Sequence, residues 1–165
     1  MKAVVVYESL WGNTAAVAHA IAEGIGPEAR ALSTSEATRD QVVGADLIVA
    51  GAPVLGFGLP TEGMRNNLGP HEKKAPSPPD LSKPSLRSWL QKLPVGSAHA
   101  ASFETRIWWS PGGATKTIDR EFARTGYRPA AKRERFVVTG TYGPLREGEL
   151  DRARAWGARL ARAVQ

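Results

Sequence analysis

A doubly wound α/β sheet in one domain is the fold class this sequence predicts, on three observations. Short apolar runs rich in β-branched residues alternate with segments whose apolar residues recur at helical spacing. The runs "KAVVVY" and "DLIVAGA" are continuous rather than alternating, as strands buried on both faces require. The alternation also repeats five times, and right-handed crossovers convert such a series into five parallel strands with helices on both faces. A chain of 165 residues suits one domain, 1–165, with a full layered core.

Taken in order, "KAVVVY" is an interior strand, and Thr14, Val17, Ala18, Ile21, Ala22 and Ile25 repeat at helical intervals after it. "GIGPE" supplies the glycine and proline that end this helix, expected over about 14–25. "EARALS" reads as a weak edge strand, "TRDQVVG" as a short helix and "DLIVAGA" as the next buried strand. "PSLRSWLQKL" predicts a helix, "SAHAASFE" a strand, and "GATKTIDREFARTG" a helix with Ala114, Ile118 and Phe122 on one side. "RFVVTGT" is the fifth strand, and the arginine-rich C-terminal segment is the fifth helix. In that helix Leu150, Ala153, Gly157, Leu160, Ala161 and Val164 face inward, with Arg152, Arg159 and Arg162 opposite.

Two connections exceed the usual ~4–6 residues. The stretch from Pro53 to Pro84 carries little periodicity and five prolines in its later part, and "TRIWWSPGG" holds two adjacent tryptophans. Both follow strands, so both emerge at the carboxyl end of the sheet, where open α/β proteins bind ligands.

Composition removes several function classes. With no cysteine there is no thiolate nucleophile, disulfide or cysteine-ligated metal, so any redox role falls to a bound cofactor. The three histidines lie far apart, and "HEKKA" at His71 lacks the second histidine of a metalloprotease helix, so no metal site is expected. Net charge is +6, from 22 basic and 16 acidic residues, with clusters in "RPAAKRER" and the last helix. Such charge favours polyanions, yet no recognition-helix or aromatic-rich pattern accompanies it, and nucleic acid is not the expected partner. No apolar run approaches the ~20 residues of a membrane span. "MKAVVVYES" is too short and strand-like for a secretory leader, which makes the cytoplasm the expected location.

The first strand-to-helix turn, "YESLWGNT", contains no lysine or arginine. A phosphate can still bind there, because the first amides of a helix lack intrahelical acceptors and the dipole places about half a positive charge at that end. Gly12 permits close backbone approach, Asn13 tolerates a tight turn, and the Ser9 and Thr14 hydroxyls can donate. The turn is equally compatible with an ordinary βα connection in which Thr14 or Asn13 caps the helix. Neither a P-loop nor a G-x-G-x-x-G fingerprint is present in the first turn.

"VVYESLWGNTAAVAHAI", Val5 to Ile21, resembles the flavodoxin N-terminal signature. "GADLIVAGAPVLGFGLP" is similar to the third strand and first flavin loop of that family, and "SFETRIWWSPGGATKTI" to the fourth strand and second flavin loop. "VTGTYGPLREGELDRARAWG" resembles the ends of short bacterial members. The resemblance implies strand order 2-1-3-4-5 and bound flavin mononucleotide (FMN). It places Ser9, Leu10, Trp11, Gly12, Asn13 and Thr14 around the phosphate. Pro53, Val54, Leu55, Gly56, Phe57 and Gly58 would border one side of the isoalloxazine, and Thr105, Arg106, Trp108, Trp109, Gly112 and Gly113 the other. Phe57, Trp108 and Trp109 are the aromatic candidates against the ring, although tryptophans in such loops serve equally in core or interface packing.

Three departures from the family accompany this likeness. Trp11 stands where many flavodoxins have threonine, the second loop has no tyrosine, and the chain is basic where flavodoxins are typically acidic. Glu62 and Glu104 are the only carboxylates on the two ring loops, which predicts a less negative second reduction potential than the family norm. The resemblance implies an electron carrier docking on a reductase or oxidase, and the net charge of +6 implies that the partner's docking surface is acidic. The alternatives are a small FMN-dependent oxidoreductase, of quinone reductase or porphyrinogen oxidase type, and a flavin-free binding module of the same fold.

Overall fold

The computed structural model describes residues 1–68 and 75–165. The "HEKKA" segment at His71 falls largely outside the described residues. The elements follow one another as β1 (Ala3–Tyr7), α1 (Asn13–Ile25), β2 (Ala29–Ser33), α2 (Arg39–Val42), β3 (Leu47–Pro53) and α3 (Glu62–Leu68). Then come α4 (Leu86–Gln91), β4 (His99–Ile107), α5 (Thr115–Arg124), β5 (Arg128–Pro129), β6 (Glu134–Val138) and α6 (Glu149–Val164). The sheet runs β2-β1-β3-β4-β5, all its ladders are parallel, and β6 also pairs with β4. The order 2-1-3-4-5 is therefore present, with β1 interior and β2 at an edge, as its weak apolar content predicts.

The fifth position of the sheet is filled by two pieces. β5 pairs with His99 and Ala100, whereas β6 pairs with Phe103 to Ile107, and residues 131–133 leave the ladder between them. Sequence reading expects one strand there; the two-residue β5 ends on Pro129, whose ring nitrogen cannot donate. A second correction concerns the Pro53 to Pro84 connection, which contains helix α3 rather than unstructured chain alone. Its sequence, EGMRNNL, has no apolar stripe. It is held instead by the Thr61 hydroxyl accepting from the Met64 amide at 3.2 Å and by the burial of Arg65.

Alternating strand residues divide the core. On one face Val4, Val6, Ile48 and Ala50 meet Leu86 and Leu90 of α4 and Ile118 and Phe122 of α5. On the other, Val5, Leu47, Val49 and Phe103 meet Val17 and Ile21 of α1 and Trp156 and Leu160 of α6. Phe103, Phe136 and Trp156 form an edge-to-face cluster with centroids 6.1 to 6.4 Å apart. The inward stripe of α5 is as expected; that of α6 also includes Trp156 and Glu149, while Leu150 is exposed. Helices α1 and α6 cross at two glycines. A Cβ on Gly24 would lie 2.0 Å from the Arg154 carbonyl oxygen, and one on Gly157 would lie 2.2 Å from that of Ile21.

Glu149 is buried for a reason visible at the sheet edge. Its carboxylate accepts the Val137 amide of β6 at 2.7 Å and hydrogen bonds from Arg146 and Arg152 at 2.9 to 3.1 Å. Burial alone would raise this carboxyl, but the bonds from Arg152, Val137 and Arg146 outweigh it and hold the group at about 2, against an ordinary 4.5. A depressed folded-state value stabilises the protein above pH 4.5 and loses that contribution as pH falls towards 2. Roughly 3 kcal/mol should disappear across this window. Urea midpoints measured at intervals between about pH 5 and pH 2 should fall steeply for the wild type and less for Glu149→Gln. Parallel curves would show that this carboxylate does not carry the acid sensitivity.

Candidate functional site

The site is assembled where β1, β3, β4 and β6 end. Past Tyr7 the chain turns through Gly12, whose φ of 98° is left-handed, and α1 begins at Asn13. A side chain at this position would strain the turn. Neither Asn13 nor Thr14 caps the helix, contrary to the plainer reading of this turn, since both lie inside it. Ser9 does so from outside: its hydroxyl oxygen accepts the Gly12 amide at 3.1 Å and the Ala15 amide at 3.2 Å. The Ser9 hydroxyl hydrogen is left to donate, and the amides of Asn13 and Thr14 have no acceptor within the helix. The Thr14 hydroxyl meets that of Thr105 on β4 at 2.8 Å. One hydrogen of that pair makes the shared bond; the other is available to an acceptor.

Trp11 plays a part that its place in the loop does not announce. Its indole nitrogen donates to the Ser77 carbonyl at 3.1 Å, and its ring stands edge-on to Tyr142 at 4.9 Å. The Asp80 amide donates to the Leu10 carbonyl at 2.9 Å. The first loop is thus tied to the end of the Pro53 to Pro84 connection on one side and to the β6–α6 connection on the other.

These groups enclose a cavity of about 220 Å³. Of the residues expected from sequence, Ser9, Leu10, Trp11, Asn13, Thr14, Pro53, Val54, Leu55, Gly56, Thr105 and Arg106 line it. Gly12, Phe57, Gly58, Trp108, Trp109, Gly112 and Gly113 stand on the surrounding loops rather than in its walls. Ile107 and Ser110, within the expected stretch from Thr105 to Gly113, line it as well, and so do Val138 and Thr141, which the sequence reading missed. The signal for Val138 and Thr141 was available: they stand at and just past the carboxyl end of a parallel strand.

The two expected ring loops touch each other. Leu55 and Gly58 exchange backbone hydrogen bonds at 2.9 and 3.2 Å around Gly56 and Phe57, both left-handed, as a tight type I′ turn requires. The Phe57 carbonyl then accepts the Gly113 amide at 3.1 Å, beside Gly112, where a Cβ would lie 1.9 Å from that same oxygen. Trp108 and Trp109 occupy the corner of a turn closed by the Ser110 amide on the Ile107 carbonyl at 3.0 Å. Phe57, Trp108 and Trp109 are 67%, 74% and 64% exposed, so three large aromatic rings border the site without a core to pack in.

Burial redistributes the charges that the sequence places here. Glu104 is not a ring-loop carboxylate in the sense expected; it is buried, and its carboxylate accepts the Ala114 amide at 2.9 Å, and the Thr115 amide and hydroxyl at 3.2 Å. Arg106 donates to the same carboxylate at 2.8 Å and to the Gly112 carbonyl at 2.7 Å. The pair braces the second loop against the start of α5. Glu8, buried at the end of β1, accepts the Leu86 amide at 2.9 Å and lies 3.2 Å from Arg65 of α3. Desolvation raises the Glu8 carboxyl, opposed by the Leu86 amide and the Arg65 charge. Glu62 is exposed and sits 3.6 Å from Arg65.

No family model matches the sequence, and no curated protein is significantly similar to it. Solved structures match over nearly the whole chain at low identity. A flavodoxin from the domain Archaea superposes with a TM-score of 0.67 at 20% identity, covering 99% of each chain. Oxidised flavodoxin 1 from Bacillus cereus gives 0.69 at 16% identity over 98% of each chain. The flavodiiron core of Flv1 from Synechocystis sp. PCC6803 gives 0.65 at 19% identity, with 99% of this chain spanning 36% of that one.

Proposed function

From the premise that the chain has the flavodoxin-like fold, we propose that it binds FMN and carries electrons between partner proteins in the cytoplasm. The observation that carries this reading is the donor set at the start of α1. Ser9 shapes the turn, the Asn13 and Thr14 amides point out of the helix end, and the Thr14–Thr105 pair offers a hydroxyl hydrogen, all beside one cavity. This set fits a phosphate dianion without any cationic side chain. Phe57 and the Trp108–Trp109 corner, exposed on the loops around the cavity, offer aromatic surface for a flat ring system. When bound, FMN supplies the electron-carrying chemistry; the protein binds it, orients it and sets the field around it.

No general acid or base is needed for such a carrier, and none is assigned. The inward commitment of Glu104 leaves little negative charge from this chain beside the ring. The second reduction potential should therefore be less negative than is typical of flavodoxins, and a spectroelectrochemical titration reads it directly. With a net charge of +6, the docking face on the partner should be acidic, so transfer rates should fall as ionic strength rises.

The test is a visible spectrum of the purified chain after incubation with excess FMN and removal of the free flavin. Retained flavin bands with quenched tryptophan fluorescence are expected. Ser9→Ala should weaken binding about tenfold, by the loss of one phosphate donor and of the turn's brace. Trp108→Ala with Trp109→Ala should also weaken it. A colourless protein would defeat the FMN reading and favour a flavin-free binding module. Rapid turnover of a quinone with a nicotinamide donor would favour an enzyme over a carrier.

A further inference from the structure

A second cavity, larger than the one just described, lies elsewhere in the fold. It is a groove of about 680 Å³ between α5 and the divided fifth position of the sheet, and it shares no lining residue with the first. We propose that this groove is a second binding site, for a small anion with an apolar body.

The groove exists because the sheet is interrupted. The Ala130 amide makes the last bond of the β5 register, to the Ala100 carbonyl at 2.8 Å, and β6 resumes only at Glu134. Helix α5 covers β4, so the span from Pro129 to Arg133 forms the far bank. Phe122, Ala123, Tyr127 and Pro129 supply apolar lining, and Lys132, Arg133 and Arg135 supply a cationic rim. The volume falls within the ~300–1,000 Å³ usual for small-molecule sites.

The acids on the lining are already engaged. Glu104 is held by Arg106 and the first amides of α5, and Glu134 pairs with Arg152 at 3.0 Å. Asp119 accepts the Ser102 hydroxyl and has Arg133 at 4.0 Å. Lys132 and Arg135 have no ion-pair partner among the described residues. The rim therefore carries uncompensated positive charge beside an apolar floor, and a ligand that matches both has an anionic head and an apolar body.

A polypeptide fits less well. A strand added at this edge would need the outward backbone groups of β6, and these are taken: Glu149 accepts the Val137 amide, the Arg146 amide donates to the Val137 carbonyl at 2.9 Å, and Arg152 donates to the Arg135 carbonyl.

The probe is 8-anilinonaphthalene-1-sulfonate, titrated into the isotope-labelled full chain, with its neutral analogue lacking the sulfonate as a control. Saturable binding is expected, with amide shifts concentrated in α5 and residues 128–135. Arg133→Glu with Arg135→Glu should weaken binding at least tenfold, and Ala123→Trp, which fills the groove from an exposed helix position, should abolish it. Shifts confined to residues 9–14, 53–58 and 105–113 would overturn the proposal by assigning the probe to the first cavity. So would unchanged affinity in Ala123→Trp, or equal affinity for the neutral analogue. None of these outcomes depends on whether FMN binds.

Discussion

Replacing Gly157 with alanine should destabilise the protein by about 3 kcal/mol, although the same change in an isolated helix would stabilise it. Helix propensity favours alanine by about 1 kcal/mol at a mid-helix position. Against this stands the Ile21 carbonyl oxygen, 2.2 Å from the new Cβ, on a backbone that has no rotamer to change. α1 and α6 can relieve the contact only by moving apart. Such movement loosens Val17 and Ile21 against Trp156 and Leu160, the centre of one core layer. Overpacking costs ~1–3 kcal/mol and sometimes more, so it outweighs propensity where the obstacle is main chain. Urea unfolding should show a lower midpoint at an unchanged slope. A midpoint at or above that of the wild type would show that the helices do not meet at this glycine.

Glu104→Ala should cost more than Arg106→Ala, about 4 against about 2 kcal/mol. Without Arg106, the Glu104 carboxylate keeps the Ala114 and Thr115 amides and the Thr115 hydroxyl as donors. Without Glu104, a buried guanidinium loses its counter-charge and the first amides of α5 lose their acceptor, and each unpaired buried group adds its own desolvation cost. The double variant should accordingly be less damaged than the sum of the two, with a coupling that a double-mutant cycle reads. Arg106→Ala frees the Gly112 carbonyl and Glu104→Ala frees the first amides of α5 beside it, so the proposed FMN affinity should fall along with stability in both. Equal losses in the two single variants would mean that the ion pair itself, rather than the capping of α5, is what Glu104 provides.

How far the sequence disclosed this structure depended on whether a residue's role was set locally. α1 and α5 were legible because their inward residues repeat with the helical period, and β1 and β3 because a continuous β-branched run has few other uses. α3 and β5 were not. The first has a polar sequence anchored by the distant Glu8, and the second is too short to carry any period. The first loop was legible as an anion turn, whereas the alternative of a cap by Asn13 or Thr14 fails because Ser9, outside the helix, accepts the Gly12 and Ala15 amides. Glu104 illustrates the limit most plainly. A carboxylate in a loop-proximal strand reads as surface charge until the amides of α5 and the Arg106 guanidinium are seen to converge on it. Trp156 stands outside the run of small and aliphatic residues that marks the inward side of α6, and only its packing against Phe103 and Phe136 shows it to be core.

The two margins of the sheet are protected by different means. Along β2 the exposed Arg30 stands at the border and the Ser33 amide is taken by the Glu36 carboxylate at 2.9 Å, whereas along β6 the main-chain groups are occupied by Glu149, Arg152 and the Arg146 amide. The carboxylate expected to set acid sensitivity therefore also blocks strand addition at this border. Once it is protonated, the Val137 amide loses its ionic acceptor and the border becomes a template for strand pairing between molecules. At low pH the protein should gain turbidity with concentration before it finishes unfolding, so its colloidal behaviour and its folding equilibrium are governed by one side chain.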